Sequence, residues 1–214
     1  MLLVGLMPHS RLKSFLLGNF GWHIHKSAHV APAIFWKLPS VILCSDVRIG
    51  LMSVYRNTKL NFEVGALIGS WNWITSIPVN ENNDPIHATL ALGTQSAITS
   101  RHYLDCSGGL VVGDFATVAG VRNVIFTHQI DVSLNRQSRS SVKIGAYALV
   151  NSGVQIAPGV ILGEGVLIAM GSVLPRKEYS SHRMYGGNPA VFIREQSGKY
   201  FQRSEGAVGE DDGH

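Results

Sequence analysis

His128 is the side chain in this 214-residue sequence best placed to do chemistry. The stretch Val124-Ile125-Phe126-Thr127-His128 closes a run with regular apolar spacing, and the segment from Gln129 to Val142 that follows is polar, Arg-rich and without repeat. A histidine titrates near neutrality, so at such an edge it can take the proton from an attacking hydroxyl. Asp131 lies three residues on and Asp105 in the preceding repeat. Either could orient the imidazole or hold an acceptor hydroxyl, and either could equally be a solvated loop carboxylate. His102 has a lesser claim as a base, because Tyr103 and Leu104 continue the repeat with no excursion. His23, His25 and His29 cluster early in the chain and raise the question of a metal. Neighbours in a tight coil point in different directions and no Cys or carboxylate joins them, so they read as surface histidines and no metal is expected. Cys44 and Cys106 lie far apart, which gives no disulfide framework and implies a reducing compartment.

The elements that must position His128 are set by a period. From Ile144 to Val173 the sequence runs as five six-residue units without a gap: IGAYAL, VNSGVQ, IAPGVI, LGEGVL and IAMGSV. An aliphatic residue opens each unit, at Ile144, Val150, Ile156, Leu162 and Ile168. The fifth position is small or β-branched (Ala148, Val154, Val160, Val166, Ser172). A helix repeats its apolar face near 3.6 residues and an alternating strand at 2, so neither has this period. A short strand plus a tight bend does, and three such units make one triangular turn of a parallel β-helix. The fold class read from the sequence is therefore all-β, a parallel β-helix of hexapeptide repeats. The pattern is visible again at Leu92, Ile98 and Leu104 and at Val112, Val118 and Val124, with a step of eight across CSGG that predicts a bulge at a corner. Further upstream it is imperfect but present, from Ile24 and Val30 to Phe62, Ile68 and Ile74.

Three stretches depart from the repeat. Leu12, Phe15, Leu16, Asn19 and Phe20 fall at helical spacing, which predicts a short helix over residues 11–20 that plugs the open end of the prism. Residues 76–89 and 129–142 read as external loops. The tail from Ser197 is polar and reads as disordered. The expected organisation is a cap at residues 1–23, the β-helix over 24–194 and a tail over 195–214. Trp71 and Trp73 either stack on a sugar ring or pack between coils or subunits.

Composition bounds the partners. The 45% hydrophobic and 15% charged content fits a single domain, and 23 glycines suit a fold with a corner every six residues. The formal charge of +4 comes from scattered basic residues with no Lys/Arg run or aromatic interleaving, so no nucleic-acid partner is expected. The opening MLLVGLM meets Pro8 after seven apolar residues, too short for a membrane span and without a basic flank for a signal peptide. A cytoplasmic protein with no transmembrane segment is expected.

The repeats from about Leu90 to Arg194 resemble the hexapeptide-repeat acyltransferases, whose fold is a left-handed parallel β-helix. The closest likeness is to the sugar O-acetyltransferase branch with galactoside, maltose and exopolysaccharide-modifying acetyltransferases. The resemblance implies acetyl transfer from acetyl-CoA to a hydroxyl of a sugar or saccharide intermediate of polysaccharide assembly. It also implies His128 as general base in direct attack, a homotrimer, and three sites at its interfaces. It matches the backbone amides of Ser152 and Met170 to positions that hold the pantetheine arm and, for Ser152, the thioester oxygen. It matches Arg176 and Lys177, after Leu174-Pro175, to the nucleotide end of coenzyme A, and Arg194 to a further basic contact. The stretch GGNPA, from Gly186 to Ala190, resembles the family's exit turn. Three positions depart: Leu149 replaces an aromatic beside the acceptor, Pro175 a hydroxyl and Ala169 the usual glycine, so a different acceptor site is implied. Two rivals remain open, a noncatalytic scaffold and a zinc carbonic anhydrase of the same fold. The second needs paired histidines five residues apart, and Ser133 stands where the partner of His128 would be.

Overall fold

The computed structural model describes residues 2–78 and 86–205. The chain winds as a left-handed parallel β-helix of triangular section. Three sheets of eight, nine and seven strands form its faces, each taking one strand from successive coils, with the ninth strand of the second sheet added antiparallel by the return of the closing hairpin. The strands are two to four residues long over most of the prism, as a corner every six residues demands. The openers of the units at 144–173 are all buried and fall on the three faces in turn. Ile144 pairs with Leu162 on the first face, Val150 with Ile168 on the second, and Ile156 with Leu174 on the third. In-register pairing stacks each inward side chain on its counterpart one coil away. The third face accordingly carries an internal ladder of Phe35, Tyr55, Ile74, Leu104, Ile125, Ile156 and Leu174. Each is at most 1% exposed. At about 25 cal/mol per Å² of apolar surface removed from water, this continuous stack is the main stabilising term of the fold.

Glycine is needed where coils approach. A Cβ on Gly145 would stand 2.6 Å from the carbonyl carbon of Gly163 in the next coil. The period specifies the inward residues, whereas the crowding recurs one full coil on: Gly163 has the same lack of space, with Ser181 opposite it, while the equivalent positions of the units between carry Asn151 and Ala157.

The amino-terminal end is closed by two helices, α1 (Leu2–Gly5) and α2 (Arg11–Gly18). Only the second falls in the stretch expected to be helical. Ser10 caps α2 by accepting the Lys13 N–H. Lys13 is fully buried and its ammonium donates to the carbonyls of Gly5, Met7 and Ala31 at 2.8–2.9 Å. Burial pulls its pKa down to about 8. This clamp ties both helices to the first coil, and Leu17 enters the core beside it. The plug expected from the sequence thus uses Lys13 and Leu17, while Leu12 and Phe15 face outward.

Residues 129–142 do not form an irregular loop. They contain an antiparallel hairpin, His128–Asp131 against Arg136–Arg139, set outside the prism. Of the stretch at 76–89, residues 79–85 lie outside the described residues. The tail is corrected in part: Lys199–Gln202 forms a 3₁₀ helix, and Arg203 sits 4.0 Å from the Tyr200 ring while donating to the Phe115 carbonyl. Residues 206–214 lie outside the described residues. No described helix is long and apolar enough to cross a membrane.

Candidate active site

The two residues that the sequence left as separate candidates, Asp105 and His128, meet. Asp105 ends the third-face strand Tyr103–Asp105, and His128 stands one coil later, just past the strand Val124–Ile125 that pairs with it. Coil stacking brings them together, with the imidazole Nδ1 at 2.8 Å from Asp105 Oδ2. Asp105 is buried and His128 half-buried. The same carboxylate accepts the Ser107 hydroxyl at 2.5 Å and N–H at 3.2 Å, the Thr127 N–H at 2.7 Å, and lies 2.9 Å from the Thr127 hydroxyl. Burial alone would push its pKa up, but the bonds from Ser107, His128 and Thr127 outweigh it and hold the carboxyl below its ordinary range. An ionised Asp105 only accepts, so Nδ1 carries the proton, and in the neutral ring the lone pair falls on Nε2, away from the carboxylate. Such an imidazole is fixed in the tautomer a general base requires.

The insertion CSGG builds the floor. The Gly108 N–H donates to the Thr127 hydroxyl at 2.8 Å, and a side chain on Gly108 would meet the Thr127 carbonyl and the backbone of Ser140, where the hairpin returns. Cys106 is buried inside the prism, and burial raises its thiol pKa well above the usual value. It is therefore no thiolate nucleophile at neutral pH.

His128 lines a groove of about 290 Å³ along the exit edge of the third face, with Phe126, Gln155, Ala157, Pro158 and Pro175. Phe126 stands edge-on to the imidazole, with centroids 6.4 Å apart, and 5.8 Å from the Tyr103 ring. Trp71 and Trp73 are about half-exposed on the outside of the prism, Trp73 in register with Val54 and Tyr103 of the adjoining coils.

The other sequence candidates lie elsewhere. Asp131 is in the hairpin, where Oδ1 accepts the N–H groups of Ser133 and Leu134 at 3.0 Å each and closes the turn. His102 is buried at the entry edge of the third face. Its Nδ1 accepts the Asn123 N–H at 3.1 Å, which leaves Nε2 to donate to the Thr99 hydroxyl at 3.0 Å. Burial lowers its pKa to about 4. Both ring nitrogens are engaged, so it has no free position for a substrate proton.

Ser152 and Met170 occupy the corner between the second and third faces. A ladder of hydroxyls runs along this corner, each accepting the N–H one coil earlier: Leu51 to Ser70 Oγ, Ser70 to Ser100 Oγ, and Val121 to Ser152 Oγ. Met170 has no hydroxyl, so the ladder stops there. The N–H groups of Ser152 and Met170 have no partner among the described residues. Arg176 and Arg194 are exposed, and Arg176 lies over Gly159, whose added Cβ would stand 2.8 Å from its Nε. The Lys177 ammonium is engaged at 3.2 Å by the Ala190 carbonyl and stands 4.6 Å from the Tyr179 ring centroid. The GGNPA stretch is the turn of the closing hairpin Arg183–Gly187 and Ala190–Glu195. Among the described residues no three His, Cys, Asp or Glu side chains gather as a metal-binding group.

Ser107, Thr127 and Phe126 escaped the sequence reading as site residues. The one available signal was the eight-residue step at CSGG, which marks where the corner is remodelled around Asp105.

The fold and this site define a left-handed β-helix protein with a His–Asp pair at one edge. The family model for bacterial transferase hexapeptide (six repeats) matches residues 141–176. Among solved structures, a variant of AntD, an N-acyltransferase from Bacillus cereus in complex with dTDP-4-amino-4,6-dideoxyglucose and coenzyme A, shares the fold. It is 17% identical with a TM-score of 0.53, covering 91% of this chain and 94% of that one. A hexapeptide-repeat containing acetyltransferase from Vibrio cholerae is 14% identical, with a TM-score of 0.46 over 92% of this chain and 86% of its own. A maltose O-acetyltransferase from Clostridium difficile is 18% identical, with a TM-score of 0.34 over 70% of each chain. No curated protein matches the chain.

Proposed function

We propose that this protein transfers an acetyl group from acetyl-CoA to a hydroxyl of a sugar or saccharide intermediate in the cytoplasm. The observation that carries the reading is the His128–Asp105 pair at 2.8 Å, with Nε2 of the imidazole left as a base beside a narrow apolar groove. His128 Nε2 takes the hydroxyl proton as the acceptor oxygen attacks the thioester carbonyl. The tetrahedral oxyanion collapses, the C–S bond breaks, and the departing sulfur recovers that proton from the imidazolium. No acyl-enzyme is needed, in keeping with the inert Cys106. Asp105 positions the ring and stabilises its cationic form.

The apolar groove suits a pantetheine arm, and Arg176 and Lys177 follow Pro175 at its end, where phosphates would lie. The match over 141–176 and the coenzyme A bound to AntD are consistent with that donor. The unpaired N–H groups of Ser152 and Met170 are suited to the arm and to a developing oxyanion. They lie at the entry edge of the third face and His128 at the exit edge. One chain therefore does not assemble both, and a symmetric neighbour in a homotrimer would complete the site.

The test is turnover with acetyl-CoA and a panel of sugars and amino sugars, beside calorimetric binding of acetyl-CoA. His128→Ala is expected to lower turnover about 10²- to 10⁴-fold with donor affinity retained. Arg176→Ala should weaken donor binding. Asp105→Asn should lower kcat and shift its pH profile, as loss of a positioning carboxylate requires. Unchanged turnover in His128→Ala would remove the mechanism. Preference for an amine acceptor would redirect it to N-acylation, and absence of donor binding would favour a noncatalytic scaffold.

A further inference from the structure

The cap that closes the prism leaves unusual surface behind it. Leu3 is 84% exposed and Phe15 68%, and Leu6, Leu12 and Phe20 are each close to half-exposed or more. These side chains do not take part in the plug, which uses Lys13 and Leu17 on the inner side of α2. Two depressions flank the cap. One places Phe15 with His9, Arg11 and Lys26, and the other places Leu3 with Trp36 and Lys37. Exposed apolar groups and cations thus alternate across one end of the molecule.

Charge is distributed to match. The first 45 residues hold four of the 18 Lys and Arg (Arg11, Lys13, Lys26 and Lys37) and none of the 14 Asp and Glu. The remaining chain, with 14 of each sign, is formally neutral, so the whole net charge of +4 belongs to the cap, the first coil and the opening strand of the second. Apart from Lys13, the cations there are exposed, as are His9, His23, His25 and His29. The nearest carboxylate in the chain is the exposed Asp46, whose N–H donates to Ser27 in the first coil. A surface that is apolar and predominantly cationic is complementary to one that is anionic at its face and apolar beneath.

We infer that the capped end of the prism docks on the surface of a bilayer containing anionic phospholipid, with Leu3, Leu12 and Phe15 entering the headgroup boundary and Arg11, Lys26 and Lys37 meeting phosphates. Short apolar insertions and nearby cations are the two signals that together hold a protein reversibly on a membrane. The active-site groove lies coils away on the third face and stays open in this pose. The inference is independent of the acyl-transfer reading, which could fail without touching it.

The experiment is cosedimentation of the full chain with vesicles of phosphatidylcholine alone or containing phosphatidylglycerol. Binding is expected to the second kind, falling as salt rises. Arg11→Gln with Lys26→Gln should weaken it at least tenfold, at about fivefold per cation near the surface. Leu12→Ser with Phe15→Ser should weaken it comparably, whereas Arg101→Gln with Arg122→Gln, exposed cations outside the cap, should change it less than twofold. If the cap variants misfold, wild-type tryptophan fluorescence with brominated lipid is the second measurement: quenching is expected, and Trp36→Phe should remove most of it. No binding to anionic vesicles, equal loss in the Arg101 and Arg122 variant, or quenching unchanged by Trp36→Phe would each overturn the inference. So would a drop in lipid-free sedimentation mass caused by the Leu12 and Phe15 substitutions, which would make the cap an interface between copies.

Discussion

Two histidines in this chain show how surroundings separate one role from another. His128 keeps one nitrogen free because the other is held by a buried carboxylate, whereas His102 spends both on Asn123 and Thr99. The buried His102 also couples stability to pH. Its folded pKa near 4 lies below the ordinary 6.5, so the folded state binds fewer protons in that window. The stability that neutral His102 contributes is complete above about pH 6.5 and is lost as pH falls towards 4, by an amount on the order of 3 kcal/mol at most. Thermal melting between pH 7 and 4 should therefore show a fall in Tm that flattens in His102→Asn, whose side-chain oxygen can still accept the Asn123 N–H. A profile identical to wild type would show that His102 is not the titrating group. Asp105, with its lowered pKa, acts at lower pH still and does not obscure this window.

At the scale of the element, the coil is a compromise between inward packing and backbone contact. Gly145 has room for neither a methyl group nor a shift, since Gly163 lies directly opposite. Gly145→Ala should cost about 1–3 kcal/mol through overpacking, a drop of roughly 2–12 °C at about 2–4 °C per kcal/mol for a chain of this size. Gly18→Ala, with nothing within 4 Å of the added carbon, should change Tm by far less. Melting of the two variants side by side checks this, and equal effects would mean the coil contact relaxes freely. Ile144 was legible from the period, because a stacking rule acts on every coil alike, whereas the crowding at Gly145 shows only once the coils are stacked. The hairpin at 128–139 was not, since its pairing of His128 with Arg139 has no apolar alternation to announce it.

At the scale of the whole molecule, the prism presents a capped cationic end, a His–Asp edge on the third face and, at the opposite edge of that face, a corner where the N–H groups of Ser152 and Met170 have no partner among the described residues. Sedimentation equilibrium should return three times the 23.2 kDa chain mass if a symmetric neighbour supplies the missing edge. A monomer with full turnover would show that one chain suffices. The cap escaped full reading for a related reason. Helical spacing at Leu12, Phe15 and Leu16 announced an apolar face, but only the packed structure shows that Lys13 and Leu17 are the buried pair.

The sequence by itself determined the period, and with it the prism and its buried ladders, because a six-residue repeat is a local constraint that every coil obeys. It also marked His128 as the place where that constraint lapses. Tertiary structure alone decided that Asp105, 23 residues away, meets the imidazole while Asp131, three residues away, closes a turn. Coil stacking makes residues about one turn apart into neighbours, and the exact offset depends on the insertion at CSGG and on where the hairpin leaves and returns. Such contacts are set by the sum of corner geometries along the chain, which no local pattern encodes.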